Sequence, residues 1–338
     1  MSRGSGAGAK SGPAGAAGGA ANPAPADSTA DSAADATATL VFEWPLDLRR
    51  TLRPIQHSPQ DPTIRLLGDG AWLTRRTIDG PATLRLRSLA GAAATVRADA
   101  WGPGATAALA AVPALVGALD RPDELVAVHP LVRELTHRFA GFRMTRTGQL
   151  MPALVPAVLG QKITADEMIR AWIRLLRRLG EPAPGPGAAL GLVVLPSGRR
   201  IAALPYFDFH PMGVERRRAE LLRRLAAHES EIEGLMALAP DEASVRLQKI
   251  PGIGPWTAAE ATRLAFGDAD AVSVGDAHIP DMVAWALAGE PRASDARMLE
   301  ILEPYRGQRG RVVALLEAAG ARAPRYGPRF TPGNIERL

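Results

Sequence analysis

From Thr39 the chain alternates apolar and polar residues in short runs separated by glycine and aspartate. Residues 39–44, 63–67, 71–78, 82–89 and 94–101 read as strands, with turns at Gly68-Asp69-Gly70 and Asp79-Gly80. This spacing predicts an antiparallel meander. Leu84 and Leu86 alternate with Arg85 and Arg87, which gives one buried and one basic face. Residues 46–55 fit a short helix, and a longer one over 105–119 would cover the sheet. From Pro122 the pattern turns helical, with candidate helices over 129–139, 151–159, 164–180, 215–225, 229–238, 243–249, 256–267, 280–287, 293–302 and 309–319. Thr164-Ala165-Asp166-Glu167 is a capping box, and Met168, Trp172, Leu175, Leu176 and Leu179 mark the apolar face behind it. Residues 181–191 read as a Pro/Gly/Ala loop and 192–201 as a small ribbon. The pattern predicts a mostly α fold with a small α+β N-terminal domain. Residues 1–38 form a tail whose composition predicts disorder, 39–120 the sheet domain, 121–319 the helical domain, and 320–338 an irregular basic end.

The stretch 247–276 stands apart. A helical run ending near Lys249 meets Pro251-Gly252-Ile253-Gly254, and a second apolar run starts at Trp256. Two helices joined by a tight hairpin follow. Glycines there permit positive φ and close approach, so amides at the start of the second helix can face an anion such as a DNA phosphate. An ordinary helix–helix turn has the same local pattern. Asp276 follows at an interval that lets the chain run out along a helix and return, through an extended 271–275, beside the hairpin. As an isolated residue it reads equally as a turn or cap aspartate. Asp268 and Asp270 fit the turn reading better.

The PGIG hairpin, the tryptophan after it and the later aspartate together resemble the helix-hairpin-helix DNA glycosylases, and among them the DNA-3-methyladenine glycosylase II family. The resemblance implies a helix-hairpin-helix glycosylase architecture and a place in base excision repair. The implied enzyme is a monofunctional glycosylase that flips out alkylated purines, such as 3-methyladenine and 7-methylguanine, hydrolyses the N-glycosidic bond and leaves an abasic site. It implies Asp276 as the catalytic carboxylate, and Trp256, Tyr305, Glu260 and Ala277 around the base. Gly252, Gly254, Gln161, Lys162 and His278 would contact DNA. The backbone carbonyls of Gln248, Ile250 and Ile253 would hold a structural Na+ or K+, with no other cofactor. Bifunctional relatives carry a Schiff-base lysine where Trp256 stands, so lyase chemistry lacks its amine here.

Three positions depart from that pattern. Ala277 and Glu260 stand where the family has tyrosine, and Lys162 where an apolar wedge enters the minor groove. A carboxylate at Glu260 either favours cationic bases or is a solvated helix residue. With these departures, a lesion-binding DNA protein of the same fold with weak or no turnover is the alternative.

Composition narrows the chemistry further. The 338 residues, 46% of them hydrophobic, can bury a sizeable core. A net charge of +5 suits a polyanionic partner without requiring one. The absence of cysteine excludes disulfides, a thiol nucleophile and cysteine-ligated clusters. Arg216, Arg217 and Arg218, with Arg306, Arg309, Arg311, Arg322, Arg325 and Arg329, predict salt-sensitive binding to DNA backbone; the resemblance implies that this partner is double-stranded DNA containing damaged bases. His129 and His210, each before proline, read as structural. No apolar run approaches the roughly 20 residues of a membrane span, and the N-terminus lacks the hydrophobic region of a secretory signal. The expectation is a cytoplasmic monomer, associated with the nucleoid through DNA and with no membrane partner.

Overall fold

The computed structural model describes residues 33–91 and 94–324. The bulk of the predicted tail, and Arg325 and Arg329, lie outside the described residues. The first elements are β1 (Ala36–Phe42), α1 (Leu48–Leu52), β2 (Ile64–Leu66), β3 (Gly70–Thr77), β4 (Gly80–Leu89) and β5 (Ala94–Trp101). The strands form an antiparallel sheet in the order β1-β5-β4-β3-β2, so the predicted meander is present and β1 closes on its last strand. β1 begins inside the segment read as tail, with Ala36 opposite Ala100. Alternation in an Ala-Thr-Ala run is too weak in hydrophobicity to show in the sequence, and the pairing partner supplies what the run lacks.

α2 (Ala105–Ala110) and α3 (Val112–Leu115) replace the single helix expected over 105–119. Pro113 lies in the first turn of α3, where a missing N–H is tolerated, whereas one continuous helix would have lost a bond there. With α1 they cover one face of the sheet, over Leu52, Leu84, Leu86, Val112 and Leu115. On the other face Trp72 and Trp101 stack with centroids 5.3 Å apart. Arg85 lies over the Trp72 ring and Arg87 pairs with Asp99, so the face expected to be freely basic is partly spent on its own neighbours.

The helical layer comprises α4 (Pro130–Arg138), α5 (Met151–Leu159), α6 (Ala165–Leu179), α7 (Pro186–Ala189), α8 (Gly198–Ala202), α9 (Tyr206–Phe209), α10 (Arg216–Ala227), α11 (Glu229–Gly234), α12 (Pro240–Gln248), α13 (Pro255–Ala265), α14 (Ile279–Ala288), α15 (Asp295–Leu302) and α16 (Arg309–Ala318). A two-residue ribbon pairs β6 (Glu181–Pro182) with β7 (Val193–Val194). The ribbon predicted over 192–201 is therefore shorter than expected and its second half is α8. The capping box forms as read: the Thr164 hydroxyl accepts from Glu167 N–H, and the Glu167 carboxylate accepts from Thr164 N–H at 2.8 Å.

α5 is apolar on nearly every side and sits at the centre of one core with α6, α10, α12 and α13. α4, α14, α15 and α16 enclose a second core around Val132, Val283, Leu302 and Val312. Ile55 packs against both the sheet core and the α5 core, and Arg76 reaches across to Glu181 at 2.7 Å. Sheet and helices thus share one compact unit. Among the described residues no helix is long and apolar enough to cross a membrane.

Candidate active site

The hairpin arises from local choices between α12 and α13. Ile250 N–H donates to Leu247 O and Ile253 N–H to Ile250 O, both at 3.0 Å. Ile253, 5% exposed, is drawn into the core, which turns Gly252 and Gly254 outward. Gly252 has φ +100, a region that strains L side chains, and a Cβ there would sit 3.1 Å from Leu221 Cδ2. Gly254 is extended, with φ −98 and ψ 180, so of the two glycines only Gly252 uses the positive φ that glycine permits. A Cβ on Gly254 would meet nothing within 4 Å. Its smallness keeps the outer face open. Pro255 starts α13 and no side chain caps that end, which leaves its first-turn N–H groups to solvent or to an anion.

Side chains from elsewhere brace this turn. Gln161 Nε2 donates to Gly252 O at 3.0 Å and to Thr257 Oγ1 at 2.9 Å. Arg224 of α10 donates to Pro251 O. Arg218, also on α10, is 3% exposed and donates to Leu159 O at 2.6 Å, so it fastens the end of α5 instead of joining Arg216 and Arg217 on the surface. Lys162 is exposed and left-handed, with φ 58. The carbonyls of Gln248 and Ile253 accept no hydrogen bond among the described residues, and that of Ile250 accepts one. Neutral oxygens of this type suit a hard cation.

Beyond α13 the chain reverses at Gly267, φ +66. Asp270 fastens the returning segment by accepting Gly307 N–H at 2.7 Å and pairing with Arg309. Gly275, φ +94, then turns the chain into Asp276. Asp276 Oδ1 accepts the N–H groups of His278 at 2.7 Å and Ile279 at 3.0 Å, and Oδ2 accepts Trp256 Nε1–H at 3.1 Å. The start of α14 and the indole of α13 thus hold the carboxylate in one orientation, and Oδ2 keeps a lone pair. The far tip of the Trp256 ring lies 3.5 Å from where a Cβ on Gly160 would stand. The 160–162 loop, the hairpin, Trp256 and Asp276 are thus contiguous.

No protein-family profile matches the chain. A DNA-3-methyladenine glycosylase of Bacillus subtilis (strain 168) is 30% identical over 139 residues, 40% of this chain and 45% of that protein, so the match spans less than half of the relative. A 3-methyladenine DNA-glycosylase from Archaeoglobus fulgidus superposes with a TM-score of 0.69 at 16% identity, over 83% of this chain and 97% of that one. The 8-oxoguanine glycosylase/lyase of Clostridium acetobutylicum in its apo form gives 0.62 at 13% identity, over 85% and 99%. The fold is that of the helix-hairpin-helix DNA glycosylases.

In this glycosylase fold the other expected residues separate by environment. Ala277 and His278 are exposed on the rim beside Asp276. Tyr305 is 4% exposed, packed in the α4–α16 core, and its hydroxyl accepts His129 N–H at 3.1 Å. It closes the core instead of offering a ring to a base, because the 3-10 turn Glu303–Tyr305 carries it inward. Glu260 is no solvated helix residue. Its carboxylate accepts from Ser273 Oγ and pairs with Arg263 at 2.8 Å. Burial works against its charge, yet Arg263 and Ser273 outweigh burial and hold the carboxyl below the usual range. Arg309 and Arg311 of the C-terminal basic set are likewise committed, to Asp270 and to Asp120; Arg306 pairs with Glu303 on the surface.

Sequence reasoning missed Arg263, Ser273 and His57. His57, from the sheet side, sits edge-on to Trp172 at 5.5 Å and lies in the field of Asp61, Glu260 and Arg263; burial pushes its imidazole down, and the two carboxylates oppose this. It also borders a cavity of about 90 Å³ between β3 and the start of α5, lined by Leu73, Arg75, Gln149 and Leu264 among others. That cavity lacks Asp276, Trp256 and Glu260 and is distinct from the site around the carboxylate.

Proposed function

We propose that the chain is a monofunctional DNA glycosylase that removes alkylated purines of the 3-methyladenine and 7-methylguanine type from duplex DNA and leaves an abasic site, acting as a monomer. The observation that carries this reading is the Asp276 carboxylate, fixed by three donors and tied to Trp256 directly behind the hairpin. A phosphate would bind the outward amides of the hairpin, which read no sequence. Na+ or K+ at the hairpin carbonyls would supply positive charge beside that phosphate.

Chemistry on a stacked base requires the nucleotide to be flipped out. Alkylation makes the purine a good leaving group. As the C1′–N bond breaks, its electron pair leaves with the base and positive charge develops on the sugar, where the Asp276 carboxylate stabilises it. Water then attacks C1′ and its proton passes to the carboxylate or solvent. Trp256 offers no amine for a Schiff base, so the reaction ends at the abasic site.

The test is release of free methylated purines from methylated duplex DNA, with abasic sites scored by alkaline cleavage and borohydride trapping run in parallel. Release without trapping supports the reading. Trapping would overturn its monofunctional part. Salt-sensitive DNA binding without release would favour the lesion-binding protein, to which the exposed, left-handed Lys162 at the wedge position also points.

A further inference from the structure

Trp256, Glu260 and Arg263 recur along one face of α13 as part-exposed positions between buried neighbours. From the rise of a helix, Glu260 lies about 6 Å and Arg263 about 10 Å further from the hairpin than Trp256. A base entering past the indole would meet a carboxylate and then a guanidinium. Both groups are fixed and neither is used up. Glu260 accepts one bond at each oxygen, from Ser273 and from Arg263, and a lone pair remains on each. Arg263 spends one N–H on Glu260. Ser273, 3% exposed, holds the carboxylate through its hydroxyl, and His57 is T-shaped to Trp172.

We propose that Glu260 and Arg263 form the end wall of the base pocket and select a guanine-type Watson–Crick edge, so that the chain prefers 7-alkylguanine to 3-alkyladenine. This rests on the glycosylase reading above. Guanine presents N1–H and N2–H side by side, donors that one carboxylate accepts together, and O6 next to them as an acceptor for a guanidinium. Adenine sets its N1 lone pair where the carboxylate stands, two acceptors face to face. Alkylation at N7 leaves the guanine edge intact and adds positive charge, which the carboxylate also favours. A site built to hydrogen-bond a group rejects the analogue that lacks it far more strongly than an apolar pocket rejects a missing methyl.

Methylated duplex DNA carries both lesions, so release of both bases can be followed in one sample for the native chain, Glu260→Gln and Ser273→Ala. The expected result is a fall of about tenfold or more in the ratio of 7-methylguanine to 3-methyladenine release in Glu260→Gln, and a smaller fall of the same sense in Ser273→Ala. A measurement that needs no variant accompanies it: free 7-methylguanine should inhibit the native chain about tenfold more strongly than free 7-methylhypoxanthine, which lacks the 2-amino group. Parallel loss of both bases in Glu260→Gln, with equal inhibition by the two free purines, overturns the assignment and makes Glu260 structural only. Release of neither base by the native chain overturns the glycosylase reading, and the assignment with it.

Discussion

Asp276→Asn preserves shape and removes charge, which makes it the sharpest probe of the site. The side-chain oxygen of Asn can still accept the N–H groups of His278 and Ile279, so the turn into α14 keeps bonds worth about 1 kcal/mol each. Its amide nitrogen would face Trp256 Nε1–H, donor against donor, and the 3.1 Å bond is lost for about 1 kcal/mol. The charge is the larger quantity. Opposite unit charges about 4 Å apart interact by about 4 kcal/mol at an effective dielectric constant of about 20. Removal of one preorganised stabilising group typically costs about 3–4 kcal/mol. At about 1.4 kcal/mol per tenfold, base release should slow by roughly 100- to 1000-fold. Single-turnover release from methylated duplex DNA measures the rate, with fluorescence anisotropy and thermal melting on the same preparations. The DNA Kd should stay within about threefold, since an interaction made only in the transition state leaves ground-state binding intact. A variant that releases base at nearly the native rate would refute the electrostatic role. A rate loss matched by weaker binding and a lower Tm would leave Asp276 as a cap alone.

Further outcomes follow from the geometry. Gly252→Ala, at φ +100 and 3.1 Å from Leu221, should lose about 1–2 kcal/mol in chemical denaturation, whereas Gly254→Ala should be stable to within about 0.5 kcal/mol yet bind DNA more weakly, because its Cβ occupies the open face. Gln161→Ala removes both bonds to the hairpin; faster hydrogen exchange at residues 160–164 and weaker DNA binding, with the global Tm little changed, are expected. Arg311→Met strands Asp120, each partner being 3% exposed, and should cost about 3–5 kcal/mol of unfolding free energy. Glu260 titrates below its ordinary value in the folded chain; its stabilising contribution is therefore complete above the unfolded carboxyl pKa and is lost as pH falls through the lower folded one. Glu260→Gln should flatten the acid limb of a stability–pH profile, and an unchanged limb would show that the Arg263 pair contributes nothing there.

What could be read from the sequence was what neighbours in the chain decide. The 151–159 helix, the capping box at Thr164 and the turn at Pro251 each depend on residues within a few positions, and each occurs where expected. What escaped was settled at long range. Arg218 looks like the third of three surface arginines, but Leu159 O, far away in sequence, takes it into the core. Tyr305 aligns with a pocket residue, yet its hydroxyl finds His129 N–H and the ring follows. Glu260 could be read as solvated or as acidic; only the return of Ser273 alongside Arg263 decides. The turn role of Asp276 was legible because the N–H groups it accepts, from His278 and Ile279, lie two and three residues on.

Arg218 and Arg224 on one helix, together with Gln161, join the end of α5, the loop after it and the hairpin into a single bracket. With DNA bound as proposed, such a bracket would act as a ruler. A phosphate seated on the hairpin would have its offset to the nucleotide under inspection set by the protein, not by the sequence beneath it. Scanning would then proceed in steps of one nucleotide, and the time spent at each step would be governed by how readily that nucleotide leaves the helix, since the reading frame itself has nothing left to rearrange.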